Sequence, residues 1–162
     1  MSSSGTVTRR PEPPFPSYPS IADGLFETIW IGSNARRHGY GLRLMRLTHL
    51  HRCAYCGLDF LSSFEAWLTM QVDHVVPVSV CVKMKIDLKW CRSLANAVLA
   101  CSTCNGLCNR FNAPPETVCP TSPEGFLSGR DAIFLQRQEH ILKQRQKEEA
   151  EFIRQRSEFQ NH

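Results

Sequence analysis

No stretch of this 162-residue chain approaches the roughly 18 consecutive apolar residues that a bilayer-crossing helix needs. The opening MSSSGTVTRRPEPPFP has no apolar h-region and does not read as a secretory signal. A reducing, cytoplasmic setting is therefore expected, one in which disulfides are rare. Internal repeats are lacking. Charge of one sign is also in short supply: 19 Lys+Arg against 15 Asp+Glu leave +4, compatible with a polyanionic partner without requiring one. Acidic residues are missing altogether between Thr28 and Leu58, where Arg36, Arg37, Arg43, Arg46 and Arg52 all fall. That run reads either as a solvated surface or as a face that meets phosphates.

Hydrophobic residues at 42% and charged residues at 21% can supply a folded core, and the length suits one compact domain with extensions. Proline and serine make up half of residues 1–20, which predicts a flexible leader. Residues 21–50 turn apolar and basic, with Leu25, Phe26, Ile29, Trp30 and Ile31 as core candidates and Leu42, Met45 and His49 spaced for one face of a short helix. Phe60, Phe64, Trp67 and Leu68 predict a second short helix over 60–70. The β-branched QVDHVVPVS predicts a strand stopped by Pro77, and 80–92 reads as a connection. An apolar stretch follows at 96–100, then a helix from Cys101 to Phe111 and a proline-rich crossing over 113–130. Helix formers dominate 131–162. Their apolar pairs Ile133/Phe134, Ile141/Leu142 and Phe152/Ile153 predict docking at both ends with a solvated middle.

Eight cysteines carry the strongest local signal. Cys53-Ala-Tyr-Cys56-Gly and Cys101-Ser-Thr-Cys104-Asn are matched C-x-x-C pairs separated by residues 57–100. Two intervening residues let both sulfurs of a pair face one ion, so two pairs complete a tetrahedral zinc site with no open position. Such a site staples a fold and does no chemistry. Gly57 suits the tight turn of the first knuckle. Free thiols, disulfides or a redox-active pair are the competing readings. Cys81, Cys91, Cys108 and Cys119 stand at no metal spacing and read as small buried residues.

The order C-x-x-C … D-H-x-x-P … N … C-x-x-C-N, carried by Cys53, Cys56, Asp73-His74, Pro77, Asn96, Cys101, Cys104 and Asn105, resembles the HNH endonuclease family over about residues 46–112. The resemblance implies an α+β fold with a ββα-metal core (51–112), two zinc knuckles and flanking helices. It implies phosphodiester hydrolysis, in which a hard divalent cation neutralises charge on the phosphate. Asp73 and Asn105 would be its oxygen ligands, with Asn109 one turn on a candidate for a further ligand or a phosphate contact. His74, ordinarily titrating near 6.5, would take a proton from the attacking water. Asn96 would fix the loop and the imidazole. Arg110, Arg52, Lys83 and Lys85 would hold flanking phosphates. The expected cofactors are structural Zn²⁺ and catalytic Mg²⁺ or Mn²⁺, and the expected partner is nucleic acid, DNA first.

The chain departs from the family in three places. Cys108 stands where many members have lysine, Val80-Cys81-Val82 where many have Gly-Gly, and Asn105 where many have histidine, which favours Mg²⁺ or Mn²⁺. Adjacent strand residues also point to opposite faces, so Asp73 and His74 serve one site only where the strand bends or ends. The competing class is a non-catalytic zinc module that binds nucleic acid or a protein.

Overall fold

A computed structural model describes residues 10–27, 37–108 and 121–160. The expectations for Ile29, Trp30, Ile31, Arg36, Asn109, Arg110 and Cys119 fall outside the described residues. Helix α1 (Leu42–Thr48) follows a π turn at Arg37–Gly41 and buries Leu44 and Thr48. It ends at His49, whose φ of 56° is left-handed. The first cysteine pair turns tightly next: Gly57 N–H donates to the Cys53 carbonyl at 2.8 Å, and Gly57 adopts φ +78° as its place in the motif demands.

Helix α2 (Phe64–Leu68) is shorter than the 60–70 expected. Ser63 caps it by accepting from Ala66 N–H, which sets its start after Phe60. Phe60 goes into the core, while Phe64 and Leu68 stay exposed. Strand β1 (Met70–His74) comes next, then α3 (Val78–Lys83) and α4 (Leu88–Cys91) across the segment expected to be a plain connection. Pro77 ends the strand and sits at the N-cap of α3, where its missing N–H costs nothing. Strand β2 (Ala97–Cys101) is wholly buried and pairs antiparallel with β1, Met70 opposite Cys101 and His74 opposite Ala97. Helix α5 (Ser102–Cys108) springs directly from β2 and packs back on both strands. This two-stranded sheet with its helix is the α+β core.

The last helix, α6 (Pro123–Gln160), begins inside the expected proline-rich connection. Ser122 accepts from Gly125 N–H, Pro123 lacks the N–H that would be orphaned there, and Glu124 meets the positive end of the helix dipole. Its buried stripe is Phe126, Arg130, Ile133, Phe134, Arg137, Gln138 and Ile141, at spacings of three and four. Docking stops there. Phe152 and Ile153, expected to dock the far end, are 60% and 58% exposed, because no other described element reaches that turn.

Residues 10–20 also differ from the flexible leader expected. Phe15 packs edge-on to Phe134 with ring centroids 5.3 Å apart and lies 3.6 Å beneath the Arg130 guanidinium. Tyr18 donates to the Ala97 carbonyl at 2.6 Å, and Gln138 Nε2 to that of Pro11 at 2.9 Å. Two aromatic anchors in a chain already stiffened by proline offset the small entropy left to lose.

Candidate active site and metal centre

The four motif cysteines converge from separate elements. Cys53 and Cys56 come from the turn after α1, Cys101 from the last residue of β2, and Cys104 from the first turn of α5. All four Sγ atoms lie within 4.8 Å of one another, and Cys56 Sγ to Cys101 Sγ is 3.9 Å. A tetrahedral zinc with Zn–S bonds of about 2.3 Å has S···S edges near 3.8 Å, so the cluster can hold a metal such as zinc. Backbone N–H groups of Cys101 and Cys104 donate to the sulfurs of Cys53 and Cys101 at 3.3 and 3.4 Å, which favours the thiolate form. The hydrogen bond with Cys104 leads in pulling the Cys101 thiol down to about 7 and Cys101 leads in lowering Cys56, while contact with Cys101 leads in pushing Cys53 and Cys104 up, so the four sulfurs share their protons unequally. Arg145 of α6 brings Nη1 to 4.0 Å from Cys104 Sγ, a cation beside a site that is anionic when four thiolates bind one Zn²⁺. Cys81 and Cys91 are free and buried, as their spacing suggested.

Asp73 and His74 are the last two residues of β1. Asp73 is largely enclosed, and its Oδ2 accepts from Tyr55 OH and from Arg137 Nη2, each at 2.7 Å. The Arg137 and Asp73 side chains are 4% and 11% exposed, so the ion pair is well shielded from water. The other nitrogen, Arg137 Nη1, donates to the carbonyls of His74 at 2.6 Å and Val75 at 2.5 Å. One guanidinium thus spans the carboxylate and the backbone where the strand stops. His74 is half-buried, and desolvation, with Arg137 and Arg92 adding to it against the pull of Asp73, holds its imidazole below the ordinary 6.5. The ring is therefore neutral at pH 7, a proton acceptor.

Asn105, on α5, donates through Nδ2 to Gln71 Oε1 at 2.8 Å. Gln71 and Asp73 are two apart on β1 and share a face, so the helix sets Asn105 on the Asp73 side of the strand. Among the described residues, neither Asp73 Oδ1 nor Asn105 Oδ1 accepts a hydrogen bond that competes with a cation. One carboxylate and one amide oxygen, both hard donors, fit Mg²⁺ or Mn²⁺. Asn96 is fully buried and clasps Val76 both ways: its Oδ1 accepts from Val76 N–H and its Nδ2 donates to the Val76 carbonyl, each at 2.8 Å. A third bond reaches the Cys91 carbonyl at 2.9 Å. Its amide therefore holds the backbone just past His74 and not the imidazole itself.

Residues 53–110 match the family model of the HNH endonuclease. The match covers 58 of the chain's 162 residues and makes this segment similar to that family. Comparison with curated proteins and with solved structures gives no match. The match ends before α6, so Arg137, which pairs with Asp73 inside the matched segment, lies outside it. No helix among the described residues is long and apolar enough to cross a membrane.

The predicted phosphate contacts divide. Lys83 and Lys85 are exposed near α3. Arg52 is turned to the first cysteine turn, with Nη2 at 3.0 Å from Asp59 Oδ2 and Nη1 at 3.3 Å from the Gly57 carbonyl, and it knits that turn together. Sequence reasoning missed Tyr55, Gln71, Arg137 and Arg145. For Arg137 a signal existed: it stands three and four positions from Phe134 and Ile133, inside the apolar stripe of α6, where a solvated arginine does not belong.

Proposed function

We propose that the chain is a divalent-metal-dependent endonuclease that hydrolyses phosphodiester bonds in nucleic acid, with DNA as substrate. The observation that carries this reading is the end of β1. A neutral, half-buried imidazole there follows directly on a carboxylate, and an asparagine amide from α5 reaches the same strand face as that carboxylate. His74 takes the proton of the attacking water. The water oxygen bonds to phosphorus, the bond to the 3′ oxygen breaks, the leaving alkoxide takes a proton from solvent water, and His74 returns its own proton to solvent. Asp73 and Asn105 would hold the cation, and Mg²⁺ or Mn²⁺ bound there supplies positive charge against the phosphate oxygens. Asn96 holds the backbone at Val76 so that the strand exit, and with it His74, keeps one geometry. The four cysteines hold structural Zn²⁺, and with all four places taken by sulfur that ion takes no part in hydrolysis. Lys83 and Lys85, together with Arg110 and Asn109 of the matched segment, are proposed phosphate contacts.

The test is plasmid nicking with Mg²⁺, with Mn²⁺ and with EDTA, run beside His74→Ala. Cleavage that needs the divalent ion and is lost in the variant, at unchanged zinc content, supports the reading. Cleavage retained in a clean His74→Ala preparation would falsify the role of His74. DNA binding without any cleavage by the wild-type chain would leave a non-catalytic zinc module in its place.

A further inference from the structure

Strand β1 offers one acidic side chain to the site, and two donors outside the D-H-x-x-P motif share it. Tyr55 OH and Arg137 Nη2 both bond to Asp73 Oδ2, and among the described residues no hydrogen bond is made to Oδ1. A carboxylate with one oxygen tied down twice cannot rotate freely about its terminal bond. Its second oxygen is left pointing in one direction. Arg137 adds a second constraint, since its other nitrogen holds the carbonyls of His74 and Val75. Carboxylate and strand end are thereby fixed in one frame by a single planar fork. Tyr55 stacks in turn on Phe134 of α6, centroids 5.3 Å apart and planes 20° apart, and the Arg137 guanidinium sits 5.6 Å from the Tyr55 ring centre. Both donors are therefore seated by the same turn of α6.

We infer that Arg137 is a positioning residue of the site: it presents Asp73 Oδ1 to the divalent ion and holds the backbone that carries His74. The inference rests on the reading of Asp73 as an ion ligand. Arginine is required there by shape as well as by charge. Lysine keeps the positive charge but offers one nitrogen, which cannot serve a carboxylate and two carbonyls in the geometry of a fork. Arg137→Lys therefore separates positioning from electrostatics, because the repulsion between side chain and divalent ion is retained while the orientation is lost.

The experiment titrates Mn²⁺ into zinc-loaded protein, follows the free-ion electron paramagnetic resonance signal without DNA, and then measures nicking at saturating Mn²⁺. Zinc content and thermal midpoint are recorded for each variant, with Asp73→Asn as the control that removes the ligand. Arg137→Lys is expected to bind Mn²⁺ about tenfold more weakly than wild type, as loss of a partner that orients a metal ligand typically does. It should also lose about tenfold or more in kcat while the KM for DNA holds. Mn²⁺ binding equal to or tighter than wild type, whatever the rate, overturns the inference. If Arg137→Lys does not fold, Tyr55→Phe takes its place: it removes one donor from Oδ2 and leaves the carbonyl contacts alone, and unchanged Mn²⁺ binding there overturns the inference equally. A wild type that takes up no Mn²⁺ overturns it together with the ion-ligand reading. Weakened Mn²⁺ binding in the variant beside a wild type that does not nick would instead sink the nuclease proposal and leave the role of Arg137 standing.

Discussion

A buried amide is stable only where the backbone presents groups that match both of its ends, and Asn96 meets three such groups. Replacing it by alanine leaves the Val76 N–H unpaired in a dry interior and its carbonyl with only the weak Cys91 thiol at 3.7 Å. Asn96→Ala should therefore destabilise the protein by about 2–4 kcal/mol, read from denaturant midpoints. Activity should fall with it, since the strand exit past His74 loosens. His74 behaves oppositely. Its ring makes no hydrogen bond among the described residues that the fold depends on, so His74→Ala should lower the nicking rate by about 10²–10⁴-fold while the thermal midpoint stays within a few degrees. A large drop in stability in His74→Ala would mean that the imidazole is a packing residue. Both residues were legible in the sequence through its resemblance to the HNH family, His74 within D-H-x-x-P and Asn96 as the asparagine between that motif and C-x-x-C-N. What Asn96 bonds to was not, since its partners lie up to 20 positions away.

At the scale of elements, α6 divides into a working half and a free half. From Phe126 to Ile141 it fills the core, and from Arg130 to Arg145 it lends three cations to the domain it covers. Arg130 donates to the Ala95 carbonyl beside Asn96, Arg137 holds Asp73, and Arg145 stands by Cys104. Beyond Arg145 the side chains are mostly solvated, and the ion pairs of Arg154 with Glu151 and Glu158 stay within the helix. Truncation after Lys147 should thus change stability by no more than about 0.5 kcal/mol, the range of surface changes. Phe134→Ala should cost about 3–5 kcal/mol, because it opens a cavity between Phe15 and Tyr55. Equilibrium denaturation of the two variants compares both figures. A truncated chain as unstable as Phe134→Ala would contradict the division. The helix itself was evident in its composition. Its start at Pro123 and its undocked end were not: the first is written in Ser122-Pro123-Glu124, and the second depends on where the core runs out.

At the scale of the molecule, the cysteine cluster is the one place among the described residues where the first turn, β2 and α5 are joined by side chains that could hold a common ion. Stripping the metal with a strong chelator under reducing conditions should release α5 from the sheet. After removal of the chelator, near-UV circular dichroism should be diminished and nicking absent even with Mg²⁺ present, with zinc readdition restoring both. A metal-free chain that keeps its spectrum and its melting profile would contradict a stapling role. The sequence by itself determined the composition of the core, the cysteine quartet, and the order of carboxylate, imidazole and amides, since these depend on residue type and on spacings within a turn or a strand. Only the tertiary structure decided that a proline-rich leader packs on α6, that Arg52 faces Asp59, and that Arg137, 64 positions from Asp73, closes on its carboxylate. A buried ion pair forms only where two surfaces meet and exclude water, and no local pattern in the chain encodes that meeting.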